Sequence, residues 1–152
     1  MDLVRIEGPG PRLEEARALL REYWTSFGFT PCFQGFDAEL AGLPGAYAPP
    51  RGLLLVAPGA GCVAVRPLDS ATAEMKRLYV RPESRGTGLG RRLAGAAVAH
   101  GRALGFSRMV LDTMPAQMAE AVALYRSMGF VPTAPYSAHP TPGALCMELS
   151  LR

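Results

Sequence analysis

The chain has 152 residues, 49 % of them apolar, and a formal net charge of +3. That length suits one domain with a real hydrophobic core, and that composition excludes a disordered tail. No apolar run nears the roughly 20 residues that cross a bilayer, residues 1–7 lack the basic-then-apolar order of a signal peptide, and the charge is too mild to imply nucleic acid, so a cytoplasmic protein without membrane attachment is expected.

Residues 3–7 alternate apolar and polar, as a strand does, until Pro9-Gly10-Pro11 breaks the pattern. Leu13, Ala16, Leu20, Tyr23 or Trp24, and Phe27 recur at helical spacing, which predicts an amphipathic helix ending near Gly28. A second short helix is expected over residues 36–41, then a Pro/Gly-rich loop over 42–52 with Tyr47 at its centre. Apolar runs at 53–57 and 62–65, separated by Pro58-Gly59-Ala60-Gly61, read as an antiparallel hairpin. Residues 73–80 form a further strand, ended by Arg81-Pro82. A helix follows with Leu89, Leu93, Ala96 or Ala97, His100 and Leu104 on one face and Gly105 at its end. Residues 108–112 read as a strand and 117–128 as a helix capped by Gly129, with Ala121, Leu124, Tyr125 and Met128 on one side. Strands at 130–133 and 144–151 close the chain. The order β-α-α-β-β-β-α-β-α-β-β describes a single mixed α/β domain over residues 1–152, without repeat or linker. Its β-α-β unit from 73 to 112 is expected to be a right-handed parallel crossover.

Cys32, Cys62 and Cys146 are odd in number and lack CxxC spacing, which argues against a zinc site or a disulfide framework. Cys62 and Cys146 lie in strand-like runs, where a thiol acts as a small hydrophobe; Cys32 falls in a loop. Lys76, Arg77, Arg81, Arg85, Arg91 and Arg92 cluster in a short central stretch. Such a cluster suits an anionic ligand or a solvated face, and it lacks the interleaved aromatics of a nucleic-acid surface. The dominance of Arg over Lys points to a GC-rich bacterial source.

The sharpest signal is Arg85-Gly86-Thr87-Gly88-Leu89-Gly90-Arg91, which follows a strand and opens a helix. The first N–H groups of a helix have no internal partner and the helix dipole is positive there. Glycines let the backbone approach a ligand closely, so the turn is a ready phosphate cradle. A Walker A loop needs Lys-Ser or Lys-Thr, and neither dipeptide occurs. The dinucleotide fingerprint GxGxxG fails as well, because its last glycine would fall on Arg91 or Leu93.

What fits is [RQ]xxGx[GA], at Arg85, Gly88 and Gly90, and here the sequence resembles the GNAT superfamily of N-acetyltransferases. Residues 74–82 resemble that family's central strand, and 123–130 its later helix and the turn beyond. The resemblance is strongest over 73–131 and weaker elsewhere. One departure is Met118, where many members carry Asn to contact the pantetheine arm.

The resemblance implies a mixed α+β fold with a mixed six- to seven-stranded sheet flanked by about four helices. It implies direct transfer of an acetyl or short acyl group from acetyl-CoA to a small-molecule or peptide primary amine. No covalent enzyme intermediate and no metal enter, and a homodimer is a family-level expectation. Leu78, Tyr79 and Val80 would pair with the pantetheine arm, an N–H near Leu78 would receive the thioester oxygen, and Arg85, Gly86, Thr87, Gly88, Leu89, Gly90 and Arg91 would hold the pyrophosphate. Tyr125 matches the tyrosine near the CoA sulfur. A phenol (reference pKa about 10) can donate to a thiolate (about 8.5); periodicity alone also fits a core tyrosine.

Glu74 is the candidate base, or a charge that draws the ammonium; the bland alternative is an exposed strand glutamate paired with an arginine. Strand alternation puts 74, 76, 78 and 80 on one face. Tyr47, Tyr136 and His139 are candidate acceptor contacts. His100 reads as a partly buried helical histidine, and Asp112 and Thr113 as caps of a turn. A non-catalytic acyl-CoA sensor is the rival reading, since it would need neither Glu74 nor Tyr125.

Overall fold

Alternating apolar runs and glycine breaks set the elements. The computed structural model describes residues 2–26, 36–116, 118–138 and 140–152. The chain forms β1 (Val4–Arg5), α1 (Pro11–Ser26), α2 (Phe36–Gly42), β2 (Leu53–Ala57), β3 (Gly61–Pro67), β4 (Thr72–Val80), α3 (Leu89–Ala103), β5 (Arg108–Thr113), α4 (Ala119–Ser127), β6 (Val131–Pro132) and β7 (Leu145–Ser150). The order is the one expected. Two single turns of 3-10 helix, Gly45–Tyr47 and Pro82–Ser84, punctuate the loops. Phe27, Gly28 and Cys32 lie outside the described residues.

Seven strands form one sheet in the order β1-β2-β3-β4-β5-β7-β6. β4 and β5 run parallel, bridged by α3, and the other pairings are antiparallel. Apolar clusters fill both faces. On one, α3 lays Leu89, Leu93, Ala94, Ala97 and Val98 against Val63, Met75, Met109 and Leu111. On the other, α1 and α2 pack Leu13, Leu19, Leu20, Trp24, Phe36 and Leu40 against Leu54, Val56 and Tyr79. Each fully buried side chain of this kind contributes about 1.5–3 kcal/mol.

Three expectations need correction. Leu104 is not on the buried stripe of α3: it sits at the C-cap, 41 % exposed. Gly101 continues the buried stripe instead, where an added Cβ would press on the side-chain ends of Leu151 and Met109 at 3.0 and 3.1 Å. Asp112 and Thr113 end β5 as expected, but neither side chain is seen to cap the turn beyond it: among the described residues the Asp112 carboxylate accepts no hydrogen bond and the Thr113 hydroxyl donates to Met118 Sδ.

The third concerns β4. Its register against β3 shifts between Cys62↔Tyr79 and Ala64↔Lys76, so Arg77 and Leu78 together oppose Val63. Arg77 is the extra residue, at φ +61°. A bulge advances the side-chain alternation by one. Glu74 and Lys76 therefore share the α1 face with Tyr79, while Leu78 turns to the α3 face with Met75.

Of the loose ends, His100 Nε2 donates to the Arg51 carbonyl at 2.8 Å. Cys62 and Cys146 are buried free thiols. Burial pushes the Cys62 thiol up to about 12.

Candidate active site

β4 pairs with β5 only through Thr72, Ala73 and Glu74. Beyond Glu74 the two strands part, and the β5-facing edge of β4 over residues 75–80 has no strand partner among the described residues. A sheet edge of this kind presents unpaired backbone groups to any extended ligand. The fork opens into a cleft on each face of the sheet.

The cleft on the α3 side has a volume of about 460 Å³ and is walled by β4, the start of α3 and the start of α4. Leu78, Tyr79, Val80, Arg85, Gly86, Gly88, Leu89 and Gly90 line it. Gly86 and Gly88 take φ +79° and +83°, which a side chain would strain. Gly88 is the N-cap of α3, and the first intrahelical bond runs from Arg92 N to Gly88 O. The N–H groups of Leu89, Gly90 and Arg91 are thus left for an anion. Arg85 folds back to donate to the Val80 carbonyl at 3.0 Å. Thr87 and Arg91 border the cleft rather than line it. The Thr87 hydroxyl donates to Ser84 O and Arg91 to the Ser127 hydroxyl. Met118 stands in the wall and accepts a hydrogen bond from the Thr113 hydroxyl at 3.5 Å.

The cleft on the α1 side, about 560 Å³, is the more polar. Its walls carry Glu39, Arg66, Glu74, Lys76, Arg77, Asp112 and Tyr136, and Met118 lines it as well as its counterpart. Glu74 is 2 % exposed, which departs from a solvated strand glutamate. Its Oε1 accepts from Arg66 Nε at 2.7 Å, and its Oε2 from the Tyr136 hydroxyl at 2.6 Å. Lys76 Nζ stands 3.9 Å from Oε2. Burial, and then the Glu74 charge, push the Tyr136 phenol well above its usual range, so it stays a donor. Burial, and then Arg77, push Lys76 below the usual lysine range. Arg77 itself is committed to Glu39 by two bonds of 2.8 and 2.9 Å, with its guanidinium 5.1 Å from the Trp24 ring centre.

Tyr125 projects from α4, 5 % exposed, edge-on to Phe130 at 5.8 Å. Burial pushes its phenol above the usual range, and Tyr23 and Asp112 add to the effect. Tyr125 lines neither cleft and packs in the α3-side core.

Tyr47 does not line either cleft. It is buried in the α1-side core, with its hydroxyl bonded to Glu39. The expectation rested on a Pro/Gly-rich loop, and the loop's 3-10 turn carries the ring inward. His139 lies outside the described residues. Sequence reasoning passed over Asp112 and Lys76 as site residues. For Asp112 a signal existed: ligands of α/β sheets gather beyond the carboxyl ends of parallel strands.

Residues 13–130 match the acetyltransferase (GNAT) family. An uncharacterized N-acetyltransferase of Schizosaccharomyces pombe is 43 % identical over 145 residues, covering 91 % of this chain and 88 % of the relative. An acetyltransferase structure from Streptococcus agalactiae superimposes with a TM-score of 0.81 at 19 % identity, over 98 % of this chain and 97 % of the other. An aminoglycoside 6'-N-acetyltransferase solved with coenzyme A gives 0.70 at 14 % identity, over 100 % and 98 %.

Proposed function

Since the chain belongs to the acetyltransferase (GNAT) family, we propose that this acetyltransferase moves an acetyl or short acyl group from acetyl-CoA directly onto a primary amine. The observation that carries the reading is the fork between β4 and β5. It joins an anion-ready glycine turn on one face to a carboxylate-bearing cleft on the other.

In this reading the free N–H groups from Gly86 to Arg91 hold the pyrophosphate, with the Arg85 and Arg91 side chains adding charge. The unpaired edge at Leu78, Tyr79 and Val80 takes the pantetheine amides as an added strand would. Met118 stands where the family's asparagine would be, so its thioether packs against the arm. An N–H beside the bulge receives the thioester oxygen, where charge develops during attack. The amine enters on the α1 side. Asp112 draws its ammonium form, and the Tyr136–Glu74 pair takes up its proton. Tyr125 donates to the sulfur as it leaves. The acceptor is a small molecule or peptide amine.

Isothermal titration with acetyl-CoA, with CoA and ATP as controls, tests the first half. Saturable binding of acetyl-CoA with ATP much weaker is expected. Thiol release with a panel of amines tests the second. No binding to folded protein overturns the reading; binding without transfer to any amine leaves a sensor.

A further inference from the structure

Lys76 is the one lysine among the 16 Lys and Arg residues of the chain. The arginines around it are committed: Arg77 to Glu39, Arg66 to Glu74, Arg108 to Glu148. Lys76 is not. Its nearest carboxylate oxygen is 3.9 Å away, beyond hydrogen-bond range, on a group that already takes short bonds from Arg66 and Tyr136. Its side chain is only 17 % exposed, so much of its hydration is lost without a full partner in return.

Across the fork stands its complement. The last registered pair is Glu74↔Val110, so two residues further along each strand bring Lys76 and Asp112 to the same face of the two diverging arms. The Asp112 carboxylate makes no hydrogen bond or ion pair with a described residue, and it lines the same cleft. The fork thus carries a weakly paired cation on one arm and a carboxylate without a side-chain hydrogen bond on the other.

Building on the acetyltransferase reading, we infer that the acceptor is an α-amino acid with both amine and carboxylate free, its carboxylate seated on Lys76 and its ammonium on Asp112. A plain amine leaves Lys76 with only its long contact to Glu74, and a peptide N-terminus has no adjacent carboxylate to offer. Burial, and then Arg77, lower the Lys76 pKa, and the Glu74 and Asp112 charges offset only part of that. In the transfer, the amine nitrogen forms the amide bond as the thioester C–S bond breaks. Of the two ammonium protons lost, one leaves through the Tyr136–Glu74 pair and one ends on the CoA thiol. The product amide is uncharged at nitrogen and so loses its hold on Asp112.

The test compares the twenty common L-amino acids, their carboxamides and the matching decarboxylated amines, read by thiol release at saturating acetyl-CoA. The amide's amine is less basic and more often neutral, so intrinsic reactivity works against the expected result. For the best amino acid, kcat/KM should exceed that of its amide by about 10- to 100-fold, the factor for one hydrogen bond to a charged group. Lys76→Met should erase that advantage, and Lys76→Arg should keep part of it. Amides or amines turned over as well as amino acids overturn the inference, as does the absence of transfer to any amino acid. Acetyl-CoA titration of the same proteins separates the two failures. If binding persists, only the acceptor class falls; if binding is absent, the acetyltransferase reading falls too.

Discussion

Tyr125 and Cys62 are both buried and both hold their protons, with different consequences. The Tyr125 phenol remains a donor through the pH range in which an acetyltransferase is assayed, because burial keeps its ionisation above the usual tyrosine range. Tyr125→Phe should lower kcat by roughly 10- to 100-fold and leave the acetyl-CoA dissociation constant nearly unchanged. Single-turnover rates set beside calorimetric affinities check this, and an equal loss in both would make the tyrosine a packing residue. Cys62 has a stability consequence. Its thiol is pushed up to about 12 in the fold, against about 8.5 in an unfolded chain. The folded state therefore binds that proton more tightly. Its stability contribution is complete below the unfolded value and drains away as pH climbs toward 12. Tyr23, pushed up to about 12 by burial, acts with the same sign from a higher starting point. Urea midpoints measured from pH 8 to 11 should fall, and Cys62→Ala should flatten the fall; a slope unchanged by that substitution would mean the thiol is not the titrating group. The sequence offers Tyr125 and Glu74 only through the resemblance of residues 123–130 and 74–82 to family segments, since periodicity alone also fits a core tyrosine. Tyr47 could not be placed, since its loop is read as solvated while its ring is held inward beside Glu39.

At the scale of the elements, β4 concentrates what is functional and what is unusual. Gly61 on β3 faces its outer end, and an added Cβ would overlap the Tyr79 carbonyl oxygen and press on Leu93. Gly61→Ala should cost roughly 1–3 kcal/mol, read as a lower thermal midpoint. It should also weaken acetyl-CoA binding, since Tyr79 and Val80 line the α3-side cleft. A midpoint at the wild-type value would mean the hairpin shifts at no cost. The strands and helices themselves were legible, because alternation, helical spacing and glycine stops all agree along the chain. The bulge was not. A non-glycine residue at φ +61° carries no sequence mark, and Arg77 is stabilised there by partners distant in sequence: Glu39 from α2 and the ring of Trp24 from α1. One extra residue in β4 then reverses which side chains meet which cleft, so strand periodicity misplaces Leu78 relative to Glu74.

In the proposed reading, the two clefts let the two substrates approach from opposite faces of one sheet. The α3-side cleft meets the α1-side cleft at the fork, with Met118 as a shared wall. That arrangement favours a ternary complex over a relay through the protein. A relay needs a nucleophile that ionises, and neither described cysteine qualifies. Cys62 is occluded within β3 with its thiol bonded to the Arg77 carbonyl, and burial also raises the Cys146 thiol. Lys76 is a nitrogen nucleophile of the cleft, and an acyl group left there would abolish the charge that the acceptor is inferred to need. Initial velocities with acetyl-CoA and an accepted amine should therefore give intersecting double-reciprocal lines, and Cys62→Ala and Cys146→Ala should each keep most of the turnover. Parallel lines would mean that the acyl group rests on the protein between two half-reactions. In that event the fork would have to be read as a relay, and mass analysis after acetyl-CoA alone would identify the side chain that carries the group.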